Sequence, residues 1–288
     1  MLKRLDLRGH GTDVSGRLPR PNISGEEPNA VVADIIESVR RDGDRAVVGY
    51  TTTFDGVDNP NYRVDADEID DALNRTPDAL RAALEVAVEN VSVFHRHQLH
   101  DEAIVERNGL EIRAFQKPVR RAGLYVPGGR AVYPSTVVMT AVPARVAGVD
   151  ETALCVPPDR TTGRVAPAVL AAAALSGVDE VYAVGGAHAI AAMAYGTETI
   201  RPVDVIAGPG NIYVAIAKQQ VAGHVGIAAA FAGPSEVVVV ADKTANPLFA
   251  ALDVIVQAEH GPDGLAWLVA WDEGVADAVC AAGEQYLK

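Results

Sequence analysis

The feature that most constrains the fold is a repeating order of strand, glycine-rich turn and helix that starts at Arg121. Apolar segments with strand character occur at 123–127, 152–156, 180–184, 203–207, 236–242 and 265–271. Alanine-rich helical segments accompany them, at 135–148, 164–176, 187–195, 211–222 and 247–259. Strands that are apolar along their whole length are buried on both faces. The sequence therefore predicts an α/β fold, with a parallel sheet covered by helices on both sides.

Residues before this repeat are predicted to be mainly helical. A helix over 28–42 would place Val31, Ile35, Ile36 and Val39 on one buried face. A longer helix is predicted from Thr76 to His97, with Thr76 as its N-cap.

The charge and hydropathy of the chain exclude some partners. Asp and Glu number 38 against 25 Lys and Arg, which gives a formal net charge of -13. Such a surface repels nucleic acid and anionic membranes, so neither is expected as a partner. The N-terminal residues lack the apolar core of a secretory signal, and every apolar run is too short for a membrane span. Cys155 and Cys280 lie in apolar runs, which favours buried free thiols and a cytoplasmic location.

Glycine-rich turns follow the predicted strands and are the first candidates for a binding site. They lie at 125–129, 184–189, 207–211 and 232–236, and the first three precede a helix. Backbone N–H groups at a helix N-terminus bind phosphate, so a pyrophosphate-containing cofactor would fit. None of the turns is a GxGxxG fingerprint, and no acidic residue is evident at the usual ribose-binding position after the first turn. Glycine is also what any α/β sheet uses to turn, and both interpretations stay open.

A second candidate is QAEHG at 257–261. Gln257 and His260 are three residues apart, so both side chains share a helical face. Together with ligands from elsewhere in the protein they could hold zinc. The alternative is an ordinary polar helix end at the surface.

Longer segments resemble histidinol dehydrogenases. They are 123–149, 184–200, 203–218, 232–242 and 256–264, and they follow the order and spacing of that family over more than half the chain. The resemblance implies an enzyme of histidine biosynthesis that oxidises L-histidinol to L-histidinal and then to L-histidine, reducing two NAD. It also implies a bound zinc ion that positions the substrate, and a homodimer when the protein is complete.

The resemblance assigns roles to individual positions. Those implied near NAD are Tyr125, His188 and Asn211. Gln257 and His260 would bind zinc and contact the substrate, and Ser235 would contact the substrate. The general-base Glu–His pair and the remaining zinc ligands are expected beyond residue 288. We therefore expect no catalytic residue within this chain, and expect the 288 residues alone to be inactive and to bind zinc weakly.

Two positions depart from the family pattern and leave the substrate open. His188 stands where the family usually has Gln, and unlike Gln it can become charged. Ala229 stands where an Asp is usual. The alternatives are a paralogous zinc- and NAD-dependent dehydrogenase acting on another polar alcohol, or a remnant without catalytic activity.

The resemblance also predicts the domain organisation. Residues 1–27 would form an N-terminal extension, and 121–235 a Rossmann-like NAD-binding domain. Residues 28–120 and 236–288 would form another α/β domain, also Rossmann-like, discontinuous and incomplete.

Overall fold

A computed structural model describes residues 2–19, 27–59, 61–128, 131–228, 235–259 and 265–287. The chain forms two compact units, one of residues 25–231 and one of residues 1–24 with 232–288. Each unit has its own hydrophobic core. No helix in the described part of the chain combines the length and apolarity needed to cross a lipid bilayer.

The helices of the larger unit are α1 Glu27–Asp42, α2 Asp44–Asp55, α3 Ala66–Asn74, α4 Asp78–Arg96, α5 Pro134–Val146, α6 Pro167–Ser176, α7 Gly186–Tyr195 and α8 Ile212–Val221. Its strands are β1 Ala103–Arg107, β2 Leu110–Ala114, β3 Arg121–Tyr125, β4 Glu151–Val156, β5 Glu180–Ala183, β6 Val205–Ala207 and β7 Gly226–Ile227. Strands β1 and β2 form an exposed antiparallel hairpin.

The main sheet has the order β5-β4-β3-β6-β7, and all its pairs are parallel. The chain runs outward from β3 to β5 and then returns to add β6 on the other side of β3. The sheet therefore reverses its winding between β3 and β6. Every residue of β3 is buried, as expected of a central strand covered on both faces. The predicted α/β fold is confirmed.

Helices cover both faces of this sheet. Contacts join α3 and α4 to α5 and α6 in one layer, and α1 and α2 to α7 and α8 in the other. Val32, Ile35, Ile36 and Val39 on α1 belong to the same buried cluster as the strands. Residues 28–120 therefore pack with the sheet of 121–231, whereas the sequence analysis had joined them to 236–288.

Some local predictions need correction. Val31 is about half exposed rather than part of the buried face of α1. Thr76 does not cap α4, which begins after Pro77; its hydroxyl instead donates to the carbonyl of Ala72 at 2.7 Å. Both cysteines are free, but only Cys155 is buried and Cys280 is partly exposed.

The smaller unit is a second, shorter α/β arrangement. Its elements are β8 Glu236–Val240, α9 Pro247–Glu259, β9 Leu265–Val269 and α10 Glu273–Tyr286, preceded in the chain by a 3-10 turn at Ser15–Arg17. Strands β8 and β9 pair in parallel. Asp272 caps α10, because its carboxylate accepts hydrogen bonds from the backbone N–H groups of Gly274 and Val275.

Candidate functional site

A cavity of about 790 Å³ lies at the carboxyl ends of the strands in the larger unit. It is lined from the strand-end turns by Tyr125, Pro127, Gly128, Pro157, Pro158, Asp159, Arg160, Gly186, Ala187, His188, Asn211 and Tyr213. Helices α1 and α2 contribute Val31, Ile35, Phe54 and Asp55. In doubly wound sheets ligands bind in the crevice beyond the strand ends, where the winding reverses. Tyr125 ends β3 and Asn211 follows β6, so the cavity lies at that point.

Tyr125 connects two of the glycine-rich turns. It is buried, and its hydroxyl accepts a hydrogen bond of 3.0 Å from the backbone N–H of Gly186, the first residue of α7. Burial raises the pKa of Tyr125 far above its ordinary value, so the phenol keeps its proton. Because the oxygen already accepts from the backbone, the O–H remains as a donor at the cavity wall.

Several turn glycines are required by packing within the protein itself. Gly208 has φ +117°, and a Cβ there would lie 2.0 Å from the carbonyl oxygen of Tyr125. A Cβ on Gly185 would lie 2.3 Å from Cγ of Pro157. These contacts demand glycine whatever the cavity binds, so the structural interpretation of these turns holds. The glycines themselves are therefore not evidence for a ligand, and that evidence comes from the cavity beside them.

His188 lies on α7 and is completely buried beside the cavity. Its Nε2 is 3.2 Å from Oγ1 of Thr51, and that hydroxyl donates its proton to the carbonyl of Val47. The Thr51 oxygen can therefore only accept, so Nε2 carries the imidazole proton and Nδ1 has the lone pair. Nδ1 has no hydrogen-bond partner among the described residues.

Burial lowers the pKa of His188 to about 3. The sequence suggests that this histidine can become charged. In the folded protein its imidazole instead stays uncharged at neutral pH. The acceptor nitrogen Nδ1 is buried in the cavity wall, and it provides one of the two hydrogen-bonding functions of a Gln side chain.

Asn211 is the N-cap of α8, so it has a structural role in its turn. Its Oδ1 accepts a hydrogen bond of 3.1 Å from the backbone N–H of Val214. The residue is exposed and also lines the cavity. Capping uses the oxygen of the side chain, so the amide N–H groups are its donors toward a ligand.

The cavity also contains residues that the sequence analysis missed. Asp55, at the end of α2, is half-buried, and burial raises the pKa of its carboxyl against the opposing effect of Arg160. Asp159 follows the carboxyl end of β4 and lines the cavity, so an acidic residue does lie near the usual ribose-binding position, contrary to the prediction. Its Oδ1 accepts hydrogen bonds from the N–H groups of Thr161 and Thr162. Only the path of the chain brings Asp55 to the strand ends, and no local motif marks it.

The remaining candidates belong to the smaller unit. Gln257 lies in the last turn of α9, is buried, and donates from Nε2 to the carbonyl oxygen of Ser235 at 2.9 Å. This orientation leaves Oε1 as the acceptor or ligand atom. Ser235 is exposed just before β8. His260, Ala229 and most of the turn at 232–236 lie outside the described residues. The structure thus brings Gln257 and Ser235 together, and Gln257 is not the surface residue of the alternative interpretation.

Metal-binding side chains do not gather in the part of the chain that is described. Within it, no group of three or more His, Cys, Asp or Glu residues is placed to hold an ion. A zinc site needs three or four protein ligands. Gln257 alone does not provide one.

A parallel sheet wound in both directions, with a cavity where the winding reverses, places the larger unit among the doubly wound α/β domains. The chain belongs to the histidinol dehydrogenase family, whose model matches residues 18–288.

Individual relatives support the same assignment. Histidinol dehydrogenase of Methanothermobacter thermautotrophicus is 47% identical over 257 residues, which cover 89% of this chain and 60% of that protein. The Moorella thermoacetica protein of the same name is 48% identical over 282 residues, covering 97% and 65%. The crystal structure of histidinol dehydrogenase from Elizabethkingia anophelis superimposes with a TM-score of 0.86 at 40% identity, covering 93% of this chain and 62% of that one. The chain thus spans about three fifths of the length of these relatives, at 60% to 65%.

Proposed function

We propose that this chain is part of a histidinol dehydrogenase, which oxidises L-histidinol to L-histidine through L-histidinal with the reduction of two NAD. The observation that carries the proposal is the cavity at the strand ends. It collects Tyr125, His188 and Asn211, the three positions that the family resemblance associates with NAD, from three separate turns. Membership of the family supplies the reaction.

The lining of the cavity suits a dinucleotide. Its volume of about 790 Å³ lies in the range of small-molecule sites, and its wall combines apolar and aromatic side chains with several polar and charged ones. The Tyr125 hydroxyl and the Asn211 amide provide donors, and the unpartnered Nδ1 of the neutral His188 ring is buried in the wall beside them. NAD bound there would accept the hydride that leaves the substrate carbon. The chain's own contribution is to hold that cofactor in a fixed orientation on rigid strand ends.

Zinc remains a proposal for the complete protein. The described residues do not fit a zinc site by themselves, and we assign no step of the reaction to the metal. Gln257 is the described residue that would contribute, because the Ser235 carbonyl orients its amide and leaves Oε1 available. His260 is the second proposed ligand, and Ser235 would contact the substrate. With two proposed zinc ligands in this chain, the 288 residues alone are proposed to be inactive.

The test is NADH formation by the protein encoded in the complete gene, with L-histidinol and NAD, before and after treatment with a metal chelator. Two NADH for each histidinol, lost on chelation and restored by zinc, would support the proposal. The matched variants are Asn211→Ala, which removes the amide donors, and Gln219→Ala, an exposed residue of the same helix outside the cavity. The first should raise KM for NAD, and the second should leave it unchanged.

The other outcomes identify the alternatives. NAD binding without turnover of histidinol, but with turnover of another polar alcohol, would indicate a paralogous dehydrogenase. NAD binding without any turnover would indicate a remnant that has kept the fold. We also propose a cytoplasmic homodimer, and light scattering on the purified complete protein would detect the dimer.

A further inference from the structure

The Asp55 carboxylate is placed in the cavity with no fixed role in the fold. It receives no hydrogen bond from any described residue, although it is half-buried. The charged group that acts on it is Arg160, whose guanidinium donates to the carbonyl oxygen of Phe54 at 3.0 Å instead. No described residue of the fold occupies the lone pairs of this carboxylate, and its position on the cavity wall leaves them available to a ligand.

The surroundings of Asp55 indicate what kind of ligand that is. Phe54 and Tyr213 also line the cavity, and each is close to half exposed. Phe54 is held in place from behind, because it stacks on Tyr50 with ring centroids 5.6 Å apart. Exposed aromatic faces in a concave wall bind flat rings by stacking. An acceptor-only carboxylate next to them pairs with hydroxyl donors. A ribonucleoside, with a flat base and a vicinal diol, has both features.

We propose that Asp55 accepts hydrogen bonds from the ribose hydroxyls of the adenosine half of the dinucleotide, and that it thereby selects NAD over NADP. This inference rests on the proposed function. In many doubly wound proteins an acidic residue after the second strand binds the ribose diol. Here Asp159 has that place, but its Oδ1 accepts two backbone hydrogen bonds of its own loop. The carboxylate that remains available to the ribose is that of Asp55, at the end of helix α2.

Charge makes the selection. A 2′-phosphate would bring its negative charge against the Asp55 carboxylate and would remove one of the hydroxyl donors. Arg160 also lines the cavity, but its guanidinium donates to the Phe54 carbonyl and would offset only part of this repulsion. Like charges placed together at a binding site strongly disfavour the wrong ligand. We expect the protein to bind NAD about 100-fold more tightly than NADP, since several kcal/mol of discrimination is typical of such contacts.

The experiment measures equilibrium binding of NAD and NADP to the complete protein by calorimetry. The variants are Asp55→Asn, Asp159→Asn and, as a matched control, Asp58→Asn, which changes an exposed carboxylate outside the cavity. Asp55→Asn should reduce the preference for NAD at least about ten-fold, chiefly by strengthening NADP binding. Asp58→Asn should keep the preference of the unmodified protein.

A ligand-side measurement keeps the test valid if a variant folds poorly. NAD lacking the 2′-hydroxyl of the adenosine ribose should bind the unmodified protein about ten-fold more weakly than NAD, because a hydrogen bond to a charged acceptor is lost. An unchanged NAD preference in Asp55→Asn, or its loss in Asp159→Asn alone, would overturn the inference and leave the proposed function standing. Failure of the unmodified protein to bind either dinucleotide would overturn both.

Discussion

Arg121, at the start of β3, has an almost completely buried guanidinium at the amino ends of the strands. It pairs with Glu151 at 2.9 Å and contacts Glu180, and Arg201 reaches the same two carboxylates from the surface. The side chain of Arg121 is 5% exposed and that of Arg201 is 60% exposed. Both arginines thus form ion pairs with the same two carboxylates, one from a buried position and one from a solvated position, so their replacement tests the effect of burial.

Replacing Arg121 should destabilise the protein far more than replacing Arg201. Arg121→Met removes the buried partner of Glu180, which keeps Arg63, Arg201 and the Tyr182 hydroxyl, so the loss should approach but not reach the roughly 3–5 kcal/mol of a fully broken buried pair. Arg201→Met removes two contacts made by a solvent-exposed guanidinium, and about 0–1 kcal/mol is usual for an exposed ion pair. Urea unfolding followed by circular dichroism would measure both. Equal losses would show that burial does not decide the strength of this network.

His188 should make stability depend on pH in a recognisable way. Burial lowers its folded pKa from 6.5 to about 3. Between those values the unfolded chain takes up a proton that the folded state refuses, so the free energy of unfolding falls as the pH falls below 6.5. The slope from one such group is on the order of 1.4 kcal/mol per pH unit.

His188→Gln removes this proton uptake and keeps the side chain polar. The free energy of unfolding of the unmodified protein, minus that of the variant, should therefore decrease as the pH is lowered from neutral toward 5. Taking the difference cancels the titration of all other groups. A difference that does not change with pH would mean that the ring accepts a proton in the folded state.

At the scale of elements, the central strands were predictable and several helices were not. Continuous apolar runs specify strands buried on both faces, and the structure has them within a few residues of the prediction. Helix α2 has the sequence DRAVVGYTTTFD, whose β-branched residues favour a strand in isolation. The helix forms because it buries Val47 and Thr51 against the rest of the larger unit. Strand β7 is two residues long and carries no local pattern.

The turn after β6 should not tolerate a side chain at Gly208. Its φ of +117° disfavours any other residue, and a Cβ would meet the carbonyl oxygen of Tyr125 at 2.0 Å. Gly208→Ala should cost at least about 2 kcal/mol, from backbone strain together with displacement of Tyr125. Gly223→Ala is the control, because a Cβ there meets nothing within 4 Å.

The same pair of variants also reports on the site. Gly208→Ala should weaken NAD binding in the cavity, since it moves the end of β3, whereas Gly223→Ala should not. Thermal unfolding and calorimetry of the two proteins would check this. A Gly208→Ala protein with unchanged stability would contradict the close approach of the turn to Tyr125.

At the scale of the whole molecule, the candidate site was only partly predictable. Tyr125, His188 and Asn211 follow strands, so their convergence follows from the parallel sheet. Asp55 and Phe54 enter the same cavity from α2, a helix whose place in the fold depends on long-range packing. The neutral state of His188 depends on burial and its tautomer on the contact with Thr51, and no local motif reveals either.

Net charge is the property of the whole chain with the most direct consequence for stability. Acidic residues exceed basic ones by 13 at neutral pH, so the folded chain repels itself. Salt screens this repulsion as the Debye length shrinks from about 30 Å to about 8 Å. Salt also weakens exposed ion pairs, but each of these contributes at most about 1 kcal/mol. We therefore expect the Tm of each resolved unfolding transition to rise from low to moderate ionic strength near neutral pH.

The control is the same measurement near pH 4.9, the isoelectric point calculated from the sequence. Net repulsion vanishes there, while the general effect of salt on apolar burial remains. The gain in Tm on adding sodium chloride should therefore be much smaller than at neutral pH. An equal gain at both pH values would assign the effect to apolar burial, and a loss at neutral pH would show that the exposed ion pairs outweigh the net charge.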